Sequence, residues 1–199
     1  MIGEAVGIII HENIKAKKIS PFVNTKRSWD DKEFKISAEL QKGIKDGLNW
    51  ENPSRIQAMA IPYIVNPDED SGQHASLIAQ AKNGAGKSGA FIIGSLLRVD
   101  PSIKKVQVIM IGHTRELVNQ ISSVISRIVE HTPSYRLCNL ATDKLDNSAH
   151  ILVSTLGQIL SNFSGRSKTL DLSELRVFVL DEADCFFLDK SRREEILKF

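Results

Sequence analysis

Cysteine is scarce in this chain. Cys138 and Cys185 are the only two in 199 residues, and no Cys/His spacing around them resembles that of a zinc site. No disulfide framework is therefore expected, and the composition suits a reducing interior. Long apolar runs are missing too: no stretch approaches the roughly 20 residues that a membrane span requires. The run Ile8-Ile9-Ile10 is ended by His11, Glu12 and Asn13, which makes it too short and wrongly flanked for a secretory signal. An excess of either charge is also absent. Lys and Arg number 26 against 24 Asp and Glu, a net +2, so any contact with a polyanion must come from local placement of basic groups and backbone amides. No internal repeat or low-complexity tract is present. What the chain does have is 42% hydrophobic residues, enough for the core of one domain plus a modest extension.

Residues 1–27 mix apolar and basic side chains without clear periodicity, and are expected to form a partly helical extension. Residues 28–199 read as the domain. Helices are predicted over residues 38–47, from Pro53-Ser54 to about Ile64, from Lys87 to about Arg98, from Arg115 to about Glu130 and over 156–163. Short apolar strands are predicted at Leu77-Ile78-Ala79, Val106 to Ile111, Ile151-Leu152-Val153 and Val177 to Leu180. The segment from Pro67 to Gly72 reads as a loop. Strands alternating with helices imply an α/β fold of three layers, a parallel sheet flanked by helices. In such sheets ligands sit beyond the carboxyl ends of the strands, so the polar residues after each strand are the functional candidates.

One of these segments is Ala81-Lys82-Asn83-Gly84-Ala85-Gly86-Lys87-Ser88, between a predicted strand and a predicted helix. This is the context of a phosphate loop. Gly84 and Gly86 let the backbone curl with its amides inward, and those amides plus the helix N-terminus favour a polyphosphate. Asn83 and Ala85 belong to the same cradle. Lys87 would reach the β- and γ-phosphates, and Ser88 would offer its hydroxyl to Mg²⁺. The general pattern has Gly where Ala81 stands.

A second segment, Asp181-Glu182-Ala183-Asp184, follows the last strand. Asp181 is expected to hold Mg²⁺ through water, because that ion dehydrates reluctantly. Glu182 is expected to orient and deprotonate an attacking water. An acidic turn capping a helix would look the same in isolation; a phosphate loop earlier in the chain favours the catalytic reading.

These residues resemble the DEAD-box RNA helicase family. Asp181-Glu182-Ala183-Asp184 matches its acidic motif literally, and its first motif begins with Ala and keeps a hydroxyl where Ser88 stands. Pro53-Ser54-Arg55-Ile56-Gln57 matches the family's Q motif. The resemblance implies that Gln57, with Arg55 beside it, selects adenine, since an amide can pair with the N6 and N7 edge. Ser28-Trp29-Asp30-Asp31 resembles the family's Ser-Phe-Asp-Asp, which makes Trp29 the expected stacking partner of the base, with Phe34 second; Trp50 is expected in the core. His113-Thr114-Arg115-Glu116-Leu117 and Thr155-Leu156-Gly157-Gln158 resemble the two RNA-backbone motifs, which implies RNA contacts at Thr114, Arg115, Thr155 and Gly157. His113 and Leu156 stand where the family has Pro, Gln158 where it has Arg, and no Gly-Gly motif is visible at 141–145.

The implied molecule is the first RecA-like P-loop NTPase domain of an ATP-dependent RNA helicase, using ATP and Mg²⁺ and binding RNA without sequence preference. Pro53 to Gln57, Leu77 to Ala81 and Arg98-Val99-Asp100-Pro101 are most similar to the mRNA-export branch. That similarity implies export factors at the nuclear pore as partners, and a location in cytoplasm or nucleus. The family's Ser-Ala-Thr motif and its second RecA-like domain, with arginine fingers worth on the order of 10³-fold or more, would lie beyond Phe199. The 199 residues alone are thus expected to bind nucleotide weakly, to hydrolyse it barely and not to unwind RNA. Two other classes compete. A DNA helicase or small-molecule kinase would read the base without a Q motif. A catalytically degenerate scaffold would not need Lys87, Asp181 and Glu182.

Overall fold

The structure is a computed structural model, and it describes residues 7–12, 15–18, 27–68, 71–74, 76–164, 170–188, 194 and 196. The chain divides into two compact units, Met1–Arg98 and Val99–Phe199.

In the first unit, strands β1 (Gly7–Glu12) and β2 (Lys15–Lys18) pair antiparallel, and β1 also pairs antiparallel with β3 (Ser76–Gln80). The expected partly helical extension is therefore stranded where it is described. The β-branched run Ile8-Ile9-Ile10 suits a pleated ladder better than a helix. The pairing also corrects the expected place of β3. It does not add to a parallel sheet, and only Leu77 along it is half-buried while Ile78 is 52% exposed. Helix α1 (Ala38–Lys42) is capped by the Ser37 hydroxyl and runs on into a π-helical turn, Gly43–Gly47. Helix α2 (Arg55–Val65) packs on α3 (Lys87–Leu96), with Ile56, Met59 and Ala60 buried against Ala90.

The second unit holds a parallel sheet of four strands in the order β5 (Leu137–Asn139), β6 (Ile151–Thr155), β4 (Val108–Gly112) and β7 (Val177–Leu180). Every residue of β4 is buried, as a central strand covered on both faces requires. Burying each of its Val and Ile side chains contributes about 1.5–3 kcal/mol. Helix α4 (Arg115–Val129) lies against β4, β5 and β6, with Val118, Ile121, Ile125 and Ile128 buried and Leu117 and Val124, also apolar, half-buried. Helices α5 (Leu156–Ser164) and α6 (Asp184–Phe187) follow β6 and β7. Strand β5 escaped the sequence reading because Leu137-Cys138-Asn139 is too short to show a period.

Two buried polar side chains fix the approaches to this sheet. Gln107 is fully buried, yet its amide is satisfied: Nε2 donates to the carbonyls of Asp100 and Ile103, and Oε1 accepts from the Asp100 N–H. His150 is 1% exposed, and its Nδ1 accepts from the Arg136 N–H at 3.0 Å. Burial, with the Arg136 charge adding to it, holds the His150 pKa below the usual 6.5. A proton on Nδ1 would also point at the Arg136 N–H. The folded state therefore favours neutral His150, and its contribution is complete above the unfolded pKa and is lost as pH falls through the lower folded value. Unfolding midpoints should drop between pH 7 and 5, and His150→Gln should flatten part of that slope. An unchanged slope in His150→Gln would remove His150 from this role.

Candidate functional site

The candidate residues fall into two groups, one in each unit. In the first unit the Q-motif segment and the phosphate loop are bonded directly. Ser54 precedes α2, and Gln57 Oε1 accepts from its backbone N–H at 2.8 Å, one half of a capping box. Both side chains also reach the loop: Ser54 Oγ donates to the Ala85 carbonyl at 2.9 Å, and Gln57 Nε2 donates to the Gly86 carbonyl at 3.3 Å. The Gln57 amide is 3% exposed and uses one bond on each atom, leaving one N–H and one lone pair. Arg55 is exposed at the first helical position.

The loop closes on itself. The Lys87 ammonium donates to the carbonyls of Ala81 at 2.6 Å and Lys82 at 3.0 Å. Asn83 and Gly84 lie exposed, Ala85 and Gly86 half-buried, and Ser88 exposed in the first turn of α3. Gly86 has φ 96°, a conformation that side chains resist, and a Cβ there would stand 2.6 Å from Ser54 Oγ. A Cβ on Gly89 would meet Gln57 Nε2 at 2.3 Å and the Trp50 ring at 2.6 Å. Loop, helix α3 and the Q-motif segment thus approach each other too closely for any side chain at these two positions. Gly89 was not singled out from the sequence; its signal was a glycine two residues into a predicted helix, where glycine costs about 1 kcal/mol relative to alanine.

The aromatic assignments change places. Trp29, expected to stack on a base, is 1% exposed, with its indole N–H donated to the Trp50 carbonyl at 2.8 Å. Phe34, the second choice, is fully buried 5.9 Å from Trp29, ring centre to ring centre. A stacking platform needs an open face, and neither ring has one. Trp50, expected in the core, is half-exposed beside Gly89 and Gln57.

In the second unit the parallel register decides what meets. Gly112 pairs with Thr155, and Ile111 with Leu180, so β4, β6 and β7 end at one edge. His113–Arg115, Thr155–Gly157 and Asp181–Asp184 follow there. Thr114 caps α4, its hydroxyl accepting from the Leu117 N–H at 3.1 Å, and Arg115 is exposed in that first turn. The Thr155 hydroxyl donates to Gln158 Oε1 at 2.9 Å, and Gln158 Nε2 donates to the Leu140 carbonyl at 2.7 Å. Gln158, a departure from the family pattern, thereby ties α5 to the turn where the Gly-Gly motif is missing. Gly157 is exposed with nothing within 4 Å of where a Cβ would stand, so packing does not demand a glycine. Asp181 is 7% exposed and its Oδ1 accepts from the Glu182 N–H at 3.0 Å. Glu182 is exposed, adopts φ 52°, and reaches His113, with Oε2 2.9 Å from Nδ1.

Against known proteins, the family model described as DEAD/DEAH box helicase matches residues 54–199. The chain is 35% identical over 197 residues to "DEAD-box ATP-dependent RNA helicase 38" of Arabidopsis thaliana, covering 94% of this chain and 38% of that protein. It is 37% identical over 184 residues to "ATP-dependent RNA helicase DHH1" of Kluyveromyces lactis, covering 86% and 34%. Among solved structures it resembles S. cerevisiae Dbp5 bound to RNA and ADP BeF3, with TM-score 0.68 and 28% identity over 83% of this chain and 41% of that one. A Dbp5 variant bound to Nup159, a Gle1 variant, IP6 and ADP gives TM-score 0.67, also at 28% identity, over 81% and 42%. The chain thus spans little more than a third of the curated relatives named here.

The close approach at Gly86 yields a stability comparison. Gly86→Ala adds a clash with Ser54 and Gln57 to the cost of its positive φ and should lose roughly 2–4 kcal/mol. Gly84→Ala, with φ 76° and open space around it, bears only the conformational cost of about 1–2 kcal/mol. Equal losses in denaturant melts would show that Ser54 and Gln57 do not press on the loop.

Proposed function

The chain belongs to the DEAD/DEAH box helicase family, and from that premise we propose that it is the ATP-binding first domain of an ATP-dependent RNA helicase. The observation that carries this reading is the bonding of the Q-motif segment to the phosphate loop, Ser54 to Ala85 and Gln57 to Gly86. It couples the group that would sense the base to the loop that would hold the phosphates.

The loop fits a polyphosphate: its glycines have positive φ, and its lysine is bound, among the described residues, to two carbonyls that a phosphate can outcompete. Lys87 leaves those carbonyls for the β- and γ-phosphates. Gln57 uses its remaining N–H and lone pair on the adenine edge, and half-exposed Trp50, which like Gln57 borders Gly89, takes the stacking role in place of buried Trp29. Ser88 in the first unit and Asp181 in the second each offer an oxygen donor of the kind that suits Mg²⁺, which when bound would neutralise charge developing on the phosphates. The Glu182 carboxylate accepts the proton of the water that attacks the γ-phosphate. Arg115 and the N-terminal N–H groups of α4 and α5 meet RNA phosphates, and Gly157 leaves the α5 end open to close approach. The Dbp5 complex with RNA and ADP BeF3 supports both ligands.

Substitution of Glu182 tests the assignment. In the protein joined to a second RecA-like domain, Glu182→Gln should lower kcat by about 10²–10⁴-fold, while ATP and RNA still bind. An unchanged rate would reject the role.

A finer proposal places the protein in mRNA export at the nuclear pore. The three family-branch segments support it, as does the likeness to Dbp5, seen with Nup159 and Gle1. The 37% identity to DHH1, higher than the 28% to Dbp5, weighs against it. A fluorescently tagged protein should concentrate at the nuclear rim of its own cells; uniform cytoplasmic signal would exclude the export role.

A further inference from the structure

His113, Glu182 and Cys185 form a cluster that no motif of the family calls for. His113 follows β4, Glu182 follows β7 and Cys185 lies in the first turn of α6, so the in-register ends of two strands bring them together. Their ligand atoms, an imidazole nitrogen, a carboxylate oxygen and a thiol sulfur, all lie within 4.8 Å of one another. His113 Nδ1 is buried and 2.9 Å from Glu182 Oε2, but the approach lacks hydrogen-bond geometry and the nitrogen has no hydrogen-bond partner. Glu182 is held at φ 52°, a left-handed conformation that costs a non-glycine residue about 1–3 kcal/mol. An unsatisfied ring nitrogen and a strained backbone thus coincide at the same three side chains.

We propose that His113, Glu182 and Cys185 bind a borderline divalent cation of the Zn²⁺ type. Nitrogen, oxygen and sulfur donors together match Zn²⁺ or Co²⁺ and are poor ligands for Mg²⁺. With bonds of about 2.0–2.3 Å, donors around a tetrahedral zinc stand roughly 3.3–3.7 Å apart. Closing the cluster requires movement on the order of 1 Å, which rotation of the exposed Glu182 and half-buried Cys185 side chains supplies. The Cys185 thiol gives up its proton to solvent on binding. His113 Nδ1 gains the partner it lacks, and water completes the fourth position because Glu182 faces solvent. An occupied site holds the Glu182 carboxylate on the metal, which withdraws it from water activation. That consequence rests on the role proposed above for Glu182; metal binding itself does not.

The test is a Co²⁺ titration of the purified chain without nucleotide, followed by absorption and displaced with Zn²⁺. The expected result is a thiolate-to-cobalt charge-transfer band that saturates at one equivalent and disappears when Zn²⁺ is added. Cys185→Ser should abolish the band, His113→Ala should weaken Co²⁺ binding at least tenfold, and Cys138→Ala should leave both unchanged. Circular dichroism checks that each variant is folded, and Cys185→Ser decides the matter if His113→Ala is not. A missing band in the wild type, or a band that survives Cys185→Ser, overturns the proposal. Because no nucleotide is present, neither outcome depends on whether the protein hydrolyses ATP.

Discussion

Parallel pairing of β6, β4 and β7 in a single register is the constraint on which the second unit's chemistry depends. The pairing of Gly112 with Thr155 and of Ile111 with Leu180 makes three strands stop at the same edge. β4 and β6 are apolar because they are covered on their faces, β7 is partly exposed, and polar residues stand at the end of each strand, where the chain leaves the sheet. A slip of one residue would turn each buried side chain to the opposite face and move each polar terminus out of line. The contact of His113 with Glu182 follows from that alignment.

The first unit solves a different problem. A phosphate loop has many backbone groups and few side chains to fix them, so its shape must be imposed by neighbours. Here α2 imposes it. Ser54 and Gln57, whose residue types the helix N-terminus already favours as caps, extend the same side chains to the carbonyls of Ala85 and Gly86. Gly86 and Gly89 remove the atoms that would otherwise keep these segments apart. The Lys87 ammonium donates to two loop carbonyls, which ties the loop back on itself.

Departures from the family pattern are accommodated locally. Gln158 replaces a charged residue with an amide that both accepts from Thr155 and donates to Leu140, joining α5 to the turn after β5. His113 replaces a residue that could neither bond nor ligate, and it meets the strained Glu182. The acidic motif therefore has, in this chain, a neighbour with chemistry of its own.

The sequence by itself determined the short motifs and, from residue 38 onward, all the longer elements, though not the N-terminal strands or the three-residue β5. Helix and strand positions were legible because apolar spacing records which face of each element is buried, and the phosphate loop and acidic tetrapeptide were legible because their residues are contiguous. Only the tertiary structure decided which aromatic is covered, since Trp29 and Trp50 are the same residue type and differ in what packs over them. It also decided that β3 pairs antiparallel with β1, since hydrophobicity marks a strand without naming its partner. And it decided that Cys185 has a histidine beside it. The scarcity of cysteine excluded a zinc motif of regular spacing; it said nothing about residues far apart in the chain, because strand register, not sequence spacing, sets the distance between His113 and Cys185.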